Sequence, residues 1–321
     1  MTELHPTLGF DCASRKEIED VLPIVPASKI IYAQPCKKLQ DIEEAQRQKI
    51  PLTVVDSVEE MTKMGGVWKG DVLVRLLVKD KGSKQPFGKK FGAPIEWLPA
   101  IYRVAKDNRM SMRGFSFHVG SECQTPQQYA DAIEECKKAQ GIAKQYGFDT
   151  TLIDIGGGFL SDKESFTKVA KTIRQAMKQE FPDPAVQWIA EPGRFLAAPT
   201  HTLYTTVIGK KPVWPPPSTS EDPAHRITID ESVYGSFSNI PFDHQRPVLE
   251  RVRLGCPQEP QRPTIVFGRT CDSGDCIGDN IRLPDLAVGD VLRVPMMGAY
   301  TTVTASEFNG FPKPSRKYEL Q

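Results

Sequence analysis

No run of apolar residues in the chain approaches the roughly 20 that a membrane-spanning helix needs. The opening segment, Met1 to His5, has neither the basic nor the apolar stretch of an export signal. These two absences point to a soluble, cytosolic protein. Net charge is also nearly absent: 41 Lys and Arg face 40 Asp and Glu, a formal balance of +1. No overall field therefore draws the chain to nucleic acid or anionic lipid, and any partner must be recognised locally. The seven cysteines, Cys12, Cys36, Cys123, Cys136, Cys256, Cys271 and Cys276, are odd in number and never spaced Cys-x-x-Cys. That pattern argues against a disulfide framework or a zinc site, and free thiols with no bound metal are expected. No internal repeat is visible.

What is present is enough for one large domain and one smaller: 321 residues, 39% of them apolar and 25% charged. Up to about residue 190, short β-prone runs alternate with helical patterns, the rhythm of parallel strands joined by crossover helices. The strands are a stub ending at Phe10, then Lys29 to Ala33, Leu52 to Val55, Val72 to Val78, Gly114 to His118, Leu152 to Ile155 and Trp188 to Ala190. The nearly unbroken apolar stretch from Val72 to Val78 reads as a strand covered on both faces. Thr125 and Pro126 read as the cap and first residue of a helix whose stripe is Tyr129, Ile133, Cys136, Ala143 and Tyr146, ending at Gly147. A second stripe, Phe166, Val169, Ile173 and Met177, stops before Pro182. Beyond residue 198 long helices give way to strands, among them His201 to Ile208, Arg226 to Asp230, Thr264 to Phe267 and Asp290 to Val294. The expected division is thus an α/β domain over 1–198 and an all-β domain over 199–321, with the proline-rich stretch from Pro212 to Pro223 as an exposed loop. A closed barrel uses eight βα units, so the α/β domain reads as a barrel short of one strand, with an open doubly wound sheet as the alternative.

Three of these strands end in residues that carry chemistry. Gly156, Gly157 and Gly158 follow one strand and suit either an anion cradle of backbone N–H groups or a tight turn. Glu191 and Arg194 follow another, as a carboxylate with a phosphate-binding guanidinium or as a plain surface ion pair. His118 closes a third, with Ser121 just beyond it; a satisfied core histidine is the bland alternative. In a barrel all three ends share one rim. In the second domain, Cys271 stands beside Asp272, and Asp243 follows the segment from Tyr234 to Phe237. Two such acids suit a cationic substrate tail; most loop aspartates, though, cap turns, and most isolated thiols simply pack.

Taken in order, several segments resemble eukaryotic ornithine decarboxylases. They are Gly9 to Ser14, Ile31 to Lys37, Ser116 to Ser121, Asp154 to Phe159, Ala190 to Arg194, Val233 to Phe237, Phe242 to His244, Thr270 to Asp272, Met297 to Thr301 and Phe308 to Phe311. The wider family, pyridoxal-phosphate-dependent, includes lysine, arginine and diaminopimelate decarboxylases and shares its barrel with alanine racemase. The resemblance implies an alanine-racemase-like (β/α)8 barrel lacking its first strand, plus a C-terminal all-β domain, in a homodimer with shared active sites. It implies pyridoxal 5'-phosphate as cofactor, with Glu191 at the pyridine nitrogen and His118 stacked on the ring. Ser121, Gly158, Arg194 and Tyr300 would hold the phosphate, with Gly156 and Gly157 beside them and Asp11 and Glu17 completing the cofactor site. Asp243 and Asp272 would receive the distal ammonium of a basic amino acid, and Cys271 would return a proton to carbon. The implied reaction is L-ornithine to putrescine, a step of polyamine biosynthesis.

Two departures accompany the match. Only eight residues precede Gly9 and the first lysine is Lys16, so the Schiff-base lysine that the family carries upstream is not in the sequence given. Pro86 stands where the family usually places an arginine near the cofactor. The first departure supports a second reading, a catalytically impaired homologue that dimerises with and regulates an active decarboxylase, as antizyme inhibitors do.

Overall fold

The computed structural model describes residue 5, residues 7–252 and residues 260–319. Cys256 lies outside the described residues. The chain forms two compact units, Met1–Pro192 and Gly193–Gln321, so the division falls ahead of the one read at residue 198.

In the first unit strands and helices alternate: β1 (Phe10–Cys12), α1 (Arg15–Val21), β2 (Ile30–Tyr32), α2 (Leu39–Arg47), β3 (Leu52–Val55), α3 (Val58–Met64), β4 (Asp71–Arg75), β5 (Ser83–Gln85), α4 (Leu98–Asp107), β6 (Ser111–Ser116), β7 (Ser121–Cys123), α5 (Gln127–Gln145), β8 (Leu152–Asp154), α6 (Lys163–Glu180) and β9 (Gln187–Ile189). Local chemistry sets the helix starts. The side chains of Ser14, Ser57 and Asp162 cap α1, α3 and α6 by accepting from the N–H groups of Glu17, Glu60 and Ser165. Helix α5 buries the expected stripe of Tyr129, Ile133, Cys136 and Ala143. Its cap is Pro126 itself, one residue later than the sequence suggests.

The main sheet runs β1-β2-β3-β4-β6-β8-β9, and each neighbouring pair is parallel. A doubly wound sheet reverses its order at a switch point. This order never reverses, so the sheet winds one way and curls as a partial barrel; the eighth barrel position falls between the edge strands β9 and β1. Strands β5 and β7 stand apart as a two-stranded antiparallel ribbon.

Side chains alternate across a strand with period two. Ile31, Val54, Leu73 and Leu152, with Ala33, Leu52 and Ile189 against them, fill the concave interior. Val55, Val72 and Val74 are fully buried on or beside the same strands. Each such side chain contributes about 1.5–3 kcal/mol. The expected strand from Val72 to Val78 stops at Arg75, and Leu77 is exposed.

One polar pair lies inside this apolar packing. After β2, Lys37 donates its backbone N–H to Glu60 Oε1 at 3.1 Å, and its ammonium donates to the Val54 carbonyl at 2.7 Å and the Gln34 carbonyl at 2.9 Å. The same ammonium lies 3.2 Å from Glu60 Oε1, and both side chains are sealed from solvent. Burial pulls the ammonium down to about 8 against the opposing pull of Glu60. The pair thus ties α3 to the ends of β2 and β3. Glu60→Ala, which strands the buried ammonium, is expected to cost about 3–5 kcal/mol in urea unfolding, whereas the double replacement Lys37→Met with Glu60→Leu costs less. Equal stability of Glu60→Ala and the parent would refute this account.

The second unit contains α7 (Gly193–Ala197), β10 (Leu203–Pro212), β11 (His225–Ile229), α8 (Asn239–Asp243), β12 (Glu250–Arg251), β13 (Arg262–Phe267), β14 (Cys276–Leu283) and β15 (Val291–Val294). Its sheet has the order β12-β15-β10-β11-β13-β14. All its pairs are antiparallel except β11 with β13. Val207, Ile227, Ile229, Phe237, Val266, Leu292 and Val294 form its core. The stretch from Pro212 to Pro223 leaves the end of β10 and is mostly exposed, with Trp214 83% accessible. Two features escape the sequence reading. Short helices interrupt the β pattern, and β14 carries Asp279 and Asn280, residue types depleted in strands.

Candidate active site

Period-two alternation places the ionisable groups of the first unit. Leu73, Leu152 and Ile189 point into the barrel, so two residues on, at the carboxyl ends of β4, β8 and β9, Arg75, Asp154 and Glu191 continue the same inner face. Asp11 pairs in register with the inward Ile31 and joins them. Three carboxyls and one guanidinium thus meet at the end of the strands where barrels place their working groups.

The backbone locks this arrangement. The Glu191 N–H donates to the Gly156 carbonyl at 2.8 Å, and the Gly156 N–H to Asp154 Oδ1 at 2.9 Å. Asp154 Oδ2 is buried with no donor among the described residues. The Glu191 and Asp154 carboxyls lie within hydrogen-bonding reach of each other, and two carboxyl oxygens can be joined only through a proton. Burial, then Asp154 and Asp11, raise the Glu191 carboxyl well above the usual range. Asp154 is raised too, by burial. Lost hydration and then Asp154 push Asp11 from 3.8 to about 6. Because Asp11 is open to solvent on the strand edge, the hydration part of that shift is the weaker one and the repulsion persists. Arg75 attracts all three carboxyls and lies 4.7 Å from the Phe91 ring centre.

Glycine is required where the turn after β8 closes. Gly156 and Gly158 adopt φ of +63° and +94°, and a Cβ on them would stand 2.2 Å from the Phe117 carbonyl oxygen and 2.3 Å from that of Gly120. Between them, Gly157 lies against the His118 ring and the Glu191 carbonyl oxygen. His118 accepts from the Gly120 N–H at 3.0 Å through Nδ1. That acceptance places the ring proton on Nε2. Burial and Arg75 pull His118 down to about 3, so the ring is neutral at physiological pH. Phe87 supports it with centroids 4.8 Å apart. Ser121 opens β7. Glu17 accepts from the Ala13 N–H at 2.5 Å while its own N–H donates to the Ser14 side chain, the cap of α1.

In the second unit, Arg194 and Asp243 are both buried, with Arg194 Nη2 2.6 Å from Asp243 Oδ1. The guanidinium lies 5.0 Å from the centre of the Tyr300 ring. Asp243 Oδ2 is buried and has no hydrogen-bond partner among the described residues. Asp272 accepts from the Tyr234 hydroxyl and from the Gly274 N–H, and that Tyr234 bond holds its carboxyl below the usual range. The exposed Cys271 donates its N–H to Asn309 Oδ1 at 3.0 Å.

Three residues at or beside these groups escaped the sequence reading. Arg75 and Asp154 hide at the ends of apolar runs, where the signal was a charge two residues past an inward apolar position. Asp275 looks like a loop acid, yet it is buried and accepts from Val233 N–H, Thr270 N–H and Thr270 Oγ1, fixing the loop that carries Cys271 and Asp272.

A one-way parallel barrel unit with an acid, a neutral histidine and a glycine cradle on its rim, together with a separate β unit, has the working groups of an enzyme at its strand ends. Residues 4–198 match the family model described as pyridoxal-dependent decarboxylase, pyridoxal binding domain. A probable ornithine decarboxylase of Dictyostelium discoideum is 37% identical over 320 residues, 97% of this chain and 69% of that protein. Antizyme inhibitor 2 of Xenopus laevis is 35% identical, again over 97% of this chain and 71% of its own. The crystal structure of the arginine decarboxylase of Paramecium bursaria Chlorella virus bound to agmatine superimposes with a TM-score of 0.88 at 34% identity, covering 94% of this chain and 82% of that one. The chain belongs to the pyridoxal-dependent decarboxylases. Pyridoxal phosphate is the cofactor of this family, and the inner rim fits it: a buried acid that holds a proton can meet a basic ring nitrogen, and the glycine turn leaves no side chain in the way.

The carboxyl cluster makes stability depend on pH. Folded Asp11 keeps its proton up to about 6 and the unfolded residue up to about 3.8. As pH rises through that window the unfolded chain gives up the proton first, so the folded state loses stability, and the penalty is complete above the window. Asp11→Asn removes the titration. The difference in Tm between Asp11→Asn and the parent, both cofactor-free, is expected to shift in favour of the variant from pH 4 to pH 7. A pH-independent difference would refute the repulsion.

Proposed function

We propose that this protein decarboxylates a basic amino acid, with L-ornithine giving putrescine as the preferred reaction, in a cytoplasmic homodimer that shares its active sites. The observation that carries the substrate class is Asp243, a buried carboxylate with one oxygen lacking a partner among the described residues. An unsatisfied buried carboxylate is costly unless a cation arrives. The distal ammonium of ornithine or lysine is such a cation, and Asp272, kept ionised by Tyr234, supplies a second acceptor. In support, no described helix is long and apolar enough to cross a membrane.

Pyridoxal phosphate, when bound, supplies the electron sink that accepts the bonding pair as carbon dioxide leaves. Glu191, whose carboxyl is raised well above the usual range, would hold a proton for the ring nitrogen, with Asp154 orienting it. His118, neutral and held by Gly120 and Phe87, would pack against the ring. Ser121 and the glycine turn Gly156 to Gly158 would offer donors to the phosphate, and Arg194 and Tyr300 would offer it a cation and a hydroxyl. Asp11 and Glu17 stand at the start of the barrel rim, Asp11 in the carboxyl cluster and Glu17 in the cap of α1. Cys271, exposed on a loop fixed by Asp275, delivers a proton to the substrate carbon after carbon dioxide departs.

Carbon dioxide release is the direct test, measured with added pyridoxal phosphate on L-ornithine, L-lysine and L-arginine. Ornithine is expected to give the highest kcat/KM, with Glu191→Gln lowering kcat about 10²–10³-fold and Cys271→Ala about 10²–10⁴-fold. Cofactor binding without carbon dioxide release from any of the three would replace this reading with that of a dimerising regulator, which the similarity to antizyme inhibitor 2 favours.

A further inference from the structure

The Arg194 and Asp243 pair joins two groups with different expected ligands. Arg194 Nη2 lies 2.6 Å from Asp243 Oδ1, both residues are buried, and the guanidinium is held against the Tyr300 ring. Asp243 Oδ2 is sealed from solvent with no partner among the described residues. We propose that this pair couples cofactor to substrate, so that a phosphate on Arg194 and a distal ammonium on Asp243 each tighten the binding of the other. The proposal rests on the substrate and phosphate roles given above and adds a linkage between them.

The physical basis is charge balance in a place with little water. Without ligands, Asp243 has the guanidinium as its countercharge. A phosphate dianion on Arg194 draws the guanidinium charge toward itself and leaves the carboxylate under-compensated, which is expensive in a buried site. An ammonium on the free oxygen restores the balance. The converse also holds: an ammonium on Asp243 frees guanidinium charge for the phosphate. Linkage requires the two effects to be equal in size. The sequence gives no hint of this, since the two residues are 49 positions apart.

The test uses ligands that cannot react with each other. Pyridoxine 5'-phosphate has the ring and phosphate but no aldehyde, and putrescine carries the distal ammonium. Calorimetric titration of the full chain with pyridoxine 5'-phosphate, with and without saturating putrescine, is expected to show about tenfold tighter binding in its presence, within the usual range of such couplings. The reverse titration should show the same factor, and pyridoxine without the phosphate should show none. In Asp243→Asn, both ligands are expected to bind with the factor reduced to one. In Asp272→Asn, putrescine weakens while the factor persists, which keeps the test informative if Asp243→Asn folds poorly. A factor of one in the parent, or an unchanged factor in Asp243→Asn, overturns the coupling while leaving the substrate role of Asp243 standing. Putrescine affinity that neither substitution alters overturns that role, and the coupling falls with it.

Discussion

Three carboxyls around a single guanidinium is the constraint on which the barrel unit turns. Asp11, Asp154 and Glu191 all lie on the inner face because the period of a β-strand puts them there, and Arg75 is the cation at their centre. Such a set cannot all ionise together in a buried place. The proton that must remain is the reason Glu191 stands well above the ordinary carboxylate range. A fold selected for stability alone would replace one of these acids by an apolar residue or pair it with a second base. Keeping them repelling stores a protonated acid at a fixed position, which is what a ring nitrogen needs in order to become a good electron acceptor. The neutral histidine has a related cause: burial, then Arg75, keeps His118 uncharged, so its ring packs against Phe87 as an aromatic surface.

The β unit solves a different problem, that of exposing reactive groups on loops while holding them still. Cys271 is exposed, and an exposed loop by itself would fray. Asp275 prevents this by gathering three donors, two from Thr270 in the loop and one from Val233 of a neighbouring segment. Asp272 is fixed by Tyr234, whose ring packs against Phe308 with centroids 4.4 Å apart. Polar networks of this kind pin one conformation when every member is satisfied. Three buried polar atoms of this unit have no partner among the described residues, Asn239 Oδ1, Asp243 Oδ2 and Arg269 Nε, and each calls for an explanation.

How much of this was legible in the sequence depends on whether a residue's signal is local. His118, Gly156 to Gly158 and Glu191 each follow a short β-prone run and sit beside turn-forming residues, so their place at strand ends could be read directly. The strand order could not. It rests on pairings between segments tens of residues apart, and seven strands suit a barrel or an open sheet until the sequential order is seen. Arg75 and Asp154 were hidden by the apolar runs they terminate, although counting in twos from Leu73 and Leu152 points to both. Strand β14 was lost because Asp279 and Asn280 oppose strand formation locally and only pairing with β13 overrides them. Glu17 is read from the family resemblance, and its side chain accepts from the Ala13 N–H at the start of α1.

Lys37 and Glu60 complete the picture by contrast. Both side chains are sealed from solvent, their hydrogen bonds are filled, and with the half-buried Lys63, which also pairs with Glu60, they lie between the strands and α3. Burial of charge therefore does not by itself distinguish a working group from a structural one. What separates the two places is satisfaction. Lys37 and Lys63 fill both oxygens of Glu60, whereas at the rim Arg75 faces the four carboxyls of Glu191, Asp56, Asp11 and Asp154, and Asp243 Oδ2 has no partner among the described residues.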